Sequence, residues 1–367
     1  MQDIKVITRH TPSNYGSLLQ SIATINTINK LGHKCSIIDY RRKDERGLNA
    51  ILSAISKKDN WNNNLLKKIA YILVRFPIEF RAQFKFDRMR RRYLKLTNTC
   101  HTKSQLTELS ADIFLTGSDQ VWGPVLTQQY DDAYFLSFVE NGTKKISYAA
   151  SFGKTEFTPQ IIADYKNMLL RYDKIAVREN SAVDLLHDWG IPYNGQVLDP
   201  TLLLTAKEWN EFVNKDIKGK YVLVYQLHNN PNLDDYAKSF AKEVGLPLVR
   251  ISPSFHQITR GGKFVYLPNL GQFLSYIKNC THMITDSFHG TAFAINFNKQ
   301  FIEILPGNKT GTRNLSILQL TNLTDRIVRD YSDFSIKDRT IDYSSVNKIM
   351  DEEREKSIKL LSDMINN

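Results

Sequence analysis

Cysteine is scarce: Cys35, Cys100 and Cys280 are the only three in 367 residues. An odd, scattered set supports no disulfide framework and has no metal-ligand spacing, so a reducing compartment is expected and zinc is not. No run approaches the ~20 apolar residues that a membrane span requires. The start, Met1-Gln2-Asp3-Ile4-Lys5-Val6-Ile7-Thr8, enters a strand pattern without a basic region and apolar core, which argues for a cytoplasmic protein rather than a secreted one. Gly16 has no second glycine at dinucleotide-binding spacing, and no Gly-rich phosphate loop, Ser-His-Asp order or Cys-His pair stands out. Zinc-finger spacing, an RNP-like aromatic motif and a basic tail are also missing, so nucleic acid ranks last among partners.

What is present suits a chain with real hydrophobic cores. Hydrophobic residues make up 42% and aromatics 11%, enough for real cores, and 367 residues suggest two domains. The net charge of +11 favours anionic ligands or an acidic membrane face. Strand patterns at 4–8 and 35–40 flank a helical pattern at 17–31, whose apolar positions Leu18, Ile22, Ile25 and Ile28 recur at helical spacing. That is a βαβ unit, hence a parallel sheet. Strand patterns resume at 111–116, 145–150 and 174–177, the first half closes on 196–200, and a second round follows at 221–225, 248–251, 283–285 and 301–304. Two doubly wound α/β domains facing across a cleft account for this order. The expected division is 1–203, then 204–344 after a linker near 200–206, then a last helix at 345–367 returning to the first domain.

Residues 41–100 interrupt the first domain. They open on Arg41-Arg42-Lys43-Asp44-Glu45-Arg46 and close with a basic, aromatic helix expected to start near Pro77. At 100° per residue Arg81, Lys85, Arg88 and Arg92 share one narrow stripe, and Phe76, Phe80 and Phe84 another face. Two readings stand: a solvated cationic face on a helix packed by its phenylalanines, or contact through 75–95 with an acidic bilayer surface or lipid-linked acceptor.

The most informative stretch is Ile284-Thr285-Asp286-Ser287-Phe288-His289-Gly290-Thr291-Ala292, a strand turning into an apolar helix. In open α/β sheets ligands bind at that end of the strand. The helix start favours an anion, and an imidazole in that turn, His289, could give or take a proton. Polar residues gather at other strand ends: Asn14 and Tyr15; Ser118, Asp119 and Gln120; Arg178 and Glu179. Each has a plainer alternative. Asn14 can cap the first helix, Ser118 or Asp119 a turn. Trp122 can pack rather than stack on a sugar, and Arg178 can pair with Glu179. His101, His187, His228 and His256 fall in expected surface loops or helices.

Taken together these motifs resemble the polysaccharide pyruvyl transferases. The resemblance runs from Asn14-Tyr15-Gly16-Ser17-Leu18-Leu19-Gln20 through Thr116-Gly117-Ser118-Asp119-Gln120-Val121-Trp122 and Ser147-Tyr148-Ala149-Ala150-Ser151-Phe152-Gly153. It continues through Val177-Arg178-Glu179-Asn180-Ser181, Asp199-Pro200-Thr201 and Asp286-Ser287-Phe288-His289-Gly290, with Arg313 ahead of Leu315 and Leu318. It implies a fold like the GT-B glycosyltransferases and transfer of pyruvate from phosphoenolpyruvate to a sugar, a surface or capsular polysaccharide precursor, as a cyclic ketal. It implies His289 as catalytic histidine; for such a reaction Asp119 could serve as base towards the acceptor hydroxyl. Arg178, Ser287, Phe288, Gly290 and Arg313 would meet the donor, and Asn14, Tyr15, Ser118, Gln120 and Trp122 the acceptor, which can be lipid-linked. No metal or cofactor is demanded. Characterised members often carry arginine where Ser287 stands, so the donor's charge must be met by Arg178, Arg313 or another cation. Two other functions fit the same two-domain plan: a nucleotide-sugar glycosyltransferase and a non-catalytic glycan-binding protein.

Overall fold

The computed structural model describes residues 1–55, 65–125, 129–306 and 311–367. Part of the expected insertion, 56–64, therefore lies outside the described residues. The chain divides into two compact units, Met1–Pro200 with Ser357–Asn367, and Thr201–Lys356.

The first unit holds six strands: β1 (Asp3–Ile7), β2 (Lys34–Ile37), β3 (Ile113–Thr116), β4 (Lys144–Ala150), β5 (Lys174–Val177) and β6 (Gly195–Gln196). All pair in parallel, in the order β2-β1-β3-β4-β5-β6. Short, wholly buried runs such as Ile113-Phe114-Leu115-Thr116 are what a sheet covered on both faces requires. Among the longer helices, α1 (Tyr15–Lys30) follows β1, α2 (Gly47–Ile55) and α3 (Leu65–Tyr93) occupy the insertion, and α4 (Pro159–Leu169) and α5 (Asn180–Asp188) follow β4 and β5. The core gathers Trp122, Phe135, Phe152, Tyr165 and Trp189 beside this sheet.

The second unit repeats the plan with β7 (Val222–Tyr225), β8 (Leu248–Ser252), β9 (Lys263–Tyr266), β10 (His282–Thr285) and β11 (Gln300–Glu303), parallel in the order β11-β10-β7-β8-β9. Its longer helices are α6 (Pro231–Glu243), α7 (Leu270–Asn279), α8 (Phe288–Asn296), α9 (Thr312–Leu320) and α10 (Tyr343–Asn366). The tail of α10 belongs to the first unit, where the Ser357 hydroxyl accepts from the Leu198 amide at 3.0 Å and Lys144 Nζ donates to the Ile365 carbonyl at 3.0 Å. The stretch 200–206 is less open than a linker: Pro200–Leu203 and Ala206–Asn210 are short helices, the latter with a Thr205–Glu208 capping box.

The basic helix departs from expectation. It begins at Leu65 rather than near Pro77, and Pro77 sits inside it. Its packed face is Ala82, Phe86, Met89 and Arg90. Phe76, Phe80 and Phe84, expected to pack it, are exposed at 36%, 59% and 66%.

Candidate functional site

Each sheet has a point where its connections turn in opposite directions, between β1 and β3 in the first unit and between β10 and β7 in the second. Ligands of doubly wound folds bind outside the strand ends at such points. Polar side chains collect at both.

In the second unit, the register that sets Thr285 beside Tyr225 brings together two turns some 58 residues apart. Asp286 leaves β10 and is 1% exposed. It accepts hydrogen bonds from the Leu227 and His228 amides at 2.7 and 2.9 Å, and lies 3.2 Å from His228 Nδ1. One carboxylate thus pins the turn after β7 to the turn after β10. Ser287 caps α8: its hydroxyl accepts from the Gly290 amide at 3.3 Å. Gly290 is required by crowding, because a Cβ there would lie 2.2 Å from Thr285 Oγ1. The missing side chain seats α8 against β10 and sets His289 in the helix's first turn, where the backbone dipole is positive.

His289 is buried to 6% exposure, its ring 5.2 Å from that of Phe288 and nearly perpendicular to it. The Arg313 guanidinium lies 6.0 Å above the Phe288 ring, which puts a half-buried cation beside the start of α8. The site residues expected in this unit, Ser287, Phe288, His289, Gly290 and Arg313, therefore gather on one turn and the helix next to it. Sequence reading missed others. His228, set aside as a loop residue, contacts Asp286. Glu303, at the end of β11 and fully buried, accepts from Asn314 Nδ2 at 2.7 Å and lies 2.5 Å from Thr291 Oγ1. Burial pushes its carboxyl up to about 8 despite those two partners, and the Asp286 charge adds to the rise. Neither residue announces itself in sequence, since strand pairing alone makes them neighbours of α8.

In the first unit Asp119 lies in the turn after β3 with φ at +79°, a left-handed conformation uncommon outside glycine. Its carboxylate accepts from Ser17 Oγ of α1 at 3.0 Å and from the Gln120 amide at 2.9 Å. Ser118 is fully buried, and its hydroxyl donates to Asp199 at 2.8 Å. Arg178 NH1 reaches the same Asp199 oxygen at 2.8 Å, and Arg178 Nε reaches Glu179 at 3.2 Å. Burial alone would lower the arginine's pKa, but those carboxylates and Asp119 raise it, so the cation is held charged. Its charge is answered within this unit by Glu179 and Asp199, the pairing that the sequence left open.

Three expected acceptor contacts are buried side chains. Trp122 is 0% exposed, wedged against Phe135 and Phe152 with its Nε1 donating to the Tyr134 carbonyl. Tyr15 is equally buried, its ring 5.0 Å from Phe86 of α3. The Ser118 hydroxyl is committed to Asp199, as above. All three are held by partners within the first unit. Asn14, Asp119 and Gln120 keep partial exposure. Asn14 also caps α1, accepting from the Gly16 amide at 2.7 Å, and the Gln120 side chain lies over Gly153 so closely that a Cβ there would sit 2.8 Å from it. Among the described residues no cluster of three or more His, Cys, Asp or Glu could hold a metal ion.

Solved structures share this architecture at low identity. An S. aureus MnaA–UDP co-structure aligns over 99% of this chain and 91% of its own, with a TM-score of 0.51 and 12% identity. A putative UDP-N-acetylglucosamine 2-epimerase from Listeria monocytogenes covers 98% and 90%, at TM-score 0.49 and 9% identity. An E. coli trehalose-6-phosphate structure bound with UDP-2-fluoro glucose covers 100% and 99%, at TM-score 0.49 and 12% identity. The likeness to the first of these shows the fold alone, two Rossmann-like α/β domains of GT-B type. No curated protein matches the sequence. The family model of polysaccharide pyruvyl transferase matches residues 14–306, spanning both strand-end clusters, and the chain belongs to that family.

Proposed function

We propose that the protein transfers pyruvate from phosphoenolpyruvate to a sugar of a surface or capsular polysaccharide precursor, forming a cyclic ketal and releasing phosphate. The observation that carries this reading is His289 in the first turn of α8, at the second sheet's switch point, next to the Phe288 ring that Arg313 overlies. Phosphoenolpyruvate is a small donor bearing a phosphate and a carboxylate. The positive end of a helix and one guanidinium are suited to hold it.

The chemistry asks little more of the protein. His289 gives a proton to the terminal enol carbon, and C2 becomes electrophilic. One acceptor hydroxyl adds to C2 and loses its proton to a base, for which Asp119 of the first unit is the candidate. The C2–O bond to phosphate breaks, and the α8 amides and Arg313 stabilise the departing charge. A second hydroxyl of the same sugar closes the ring and gives up its proton. Acid and base steps of this kind are each worth roughly 10²–10⁴-fold. No metal or cofactor enters this scheme, and the reaction belongs in the cytoplasm, where phosphoenolpyruvate is made.

The test is phosphate release from phosphoenolpyruvate in the presence of galactose-, mannose- or N-acetylhexosamine-terminated acceptors, with ketal formation read by mass. His289→Ala should nearly abolish release while its circular dichroism matches the parent. Retained turnover removes His289 from the mechanism. Stabilisation by a UDP- or GDP-sugar but not by phosphoenolpyruvate, read by thermal shift, would favour glycosyl transfer instead.

A further inference from the structure

Helix α3 shows three faces on one wheel, and only one of them is packed. Measured from Leu65 at 100° per residue, Ala82, Met89, Phe86 and Arg90 fall within an arc of about 100°, and these are its buried residues. Leu65, Phe76, Ile69, Phe80, Leu73, Leu66 and Phe84 fall within a second arc of about 100°, and every one is exposed. Arg88, Arg81, Arg92, Lys67 and Lys85 fill a third arc of about 60° beside the apolar one. Leu48 and Leu52 of the adjoining α2 are exposed as well. The apolar row runs ~30 Å from Leu65 to Phe84. A continuous apolar row of this length on a soluble protein marks an interaction surface.

We propose that this face of α3 docks on an anionic lipid bilayer, its apolar row sunk among the headgroups and its cationic row against lipid phosphates. Charge decides the occupant. The helix carries nine Lys and Arg against only Glu79 and Asp87. A second copy of the same face would meet it with like charge, which opposes self-association. Nucleic acid would match the cations but leave the leucines and phenylalanines in water. An anionic bilayer satisfies both rows at once, as it does for amphipathic helices lying in the interface. No helix among the described residues is long and apolar enough to cross a membrane, so contact of this kind is peripheral.

Docking there would bear on the first unit's strand ends. From the packed side of α3, Arg90 donates to the His10 carbonyl at 2.8 Å, the Pro12 carbonyl at 2.8 Å and the Thr11 carbonyl. These carbonyls belong to the turn that leads to Asn14, so the helix on the lipid also fixes the loop between β1 and α1. The proposal stands on the helix alone and does not need the proposed reaction.

The test is sedimentation of the full chain with phosphatidylcholine vesicles, with or without roughly one part in three of phosphatidylglycerol. The protein should pellet with the anionic vesicles only, and less as salt is raised. Each cation at such a surface is worth about five-fold, so replacing Arg81, Arg88 and Arg92 together by Gln should weaken binding about 100-fold. Phe80→Ser with Phe84→Ser should also release the protein. All five side chains are exposed, so melting temperatures should stay at the parent's. Failure of the parent to pellet, or equal pelleting with pure phosphatidylcholine, overturns the proposal. So does a concentration-dependent dimer that the phenylalanine substitutions dissolve.

Discussion

Glu303→Gln should flatten the pH dependence of stability near neutrality. The reason lies in the count of protons around Thr291. Its hydroxyl is 3.1 Å from the Ser287 carbonyl and 2.5 Å from Glu303 Oε2, and one hydroxyl has one proton to give. If that proton goes to the carbonyl, Oε2 must supply its own, so the carboxyl is neutral, in keeping with its rise to about 8 on burial. In the unfolded chain the same group ionises near 4.3. A raised carboxyl stabilises fully below the unfolded value and loses its contribution as pH rises through the folded one. The loss runs at about 1.4 kcal/mol per pH unit across that window and then levels off. Between about pH 6 and 7.5 the parent should therefore lose about 2 kcal/mol that the Glu303→Gln variant keeps. Glutamine can give an N–H to Thr291 and accept from Asn314, so the same network survives without a titrating proton. The assay is urea unfolding followed by circular dichroism at the two pH values and constant ionic strength. Equal pH dependence in parent and variant would mean that Glu303 is ionised in the folded chain, and the proton count would fail.

Trp122→Ala should cost about 3–5 kcal/mol by urea unfolding, the range for emptying a large buried aromatic site; a weakened acceptor KM at unchanged stability would restore its sugar-stacking role. Asp119→Asn should lower stability by no more than about 1 kcal/mol, since asparagine tolerates the left-handed backbone and only one accepted hydrogen bond is lost. The same variant should slow acceptor-dependent phosphate release by roughly 10²–10⁴-fold; near-parental turnover would remove Asp119 as the base.

The parallel sheets were legible because a strand covered on both faces must be nearly all apolar, and Val222-Leu223-Val224-Tyr225 or Ile113-Phe114-Leu115-Thr116 has few other uses. Strand β9 was not legible. Lys263-Phe264-Val265-Tyr266 lies on a sheet edge and is only half-buried, so neither an apolar run nor a strict alternation marks it. Pro77 misled in an instructive way. Proline fits a helix's first turn, but here it is exposed within α3, and the apolar row continues on both sides of it. Trp122 and Tyr15 show the limit for single residues. An aromatic beside a polar motif reads alike whether it stacks on a ligand or holds the motif from behind, and the sequence carries no sign of its burial.

Ser287 takes on a physical meaning once α8 is seen. Its hydroxyl accepts from the Gly290 amide and its carbonyl from the Thr291 amide at 2.9 Å, so the residue is the helix's N-cap. Arginine has no side-chain acceptor and could not make the first of these bonds. A chain with serine here therefore gives up a point charge and gains a better ordered helix start, whose dipole is itself a partial positive charge. Under the proposed reaction, that exchange leaves Arg313 as the full cation beside the donor in the second unit. Its hold on the Phe288 ring then matters, since the ring that orients the guanidinium is also the neighbour of His289. Cap, ring and imidazole occupy consecutive positions, so a change at any of them should move both charge and proton donor.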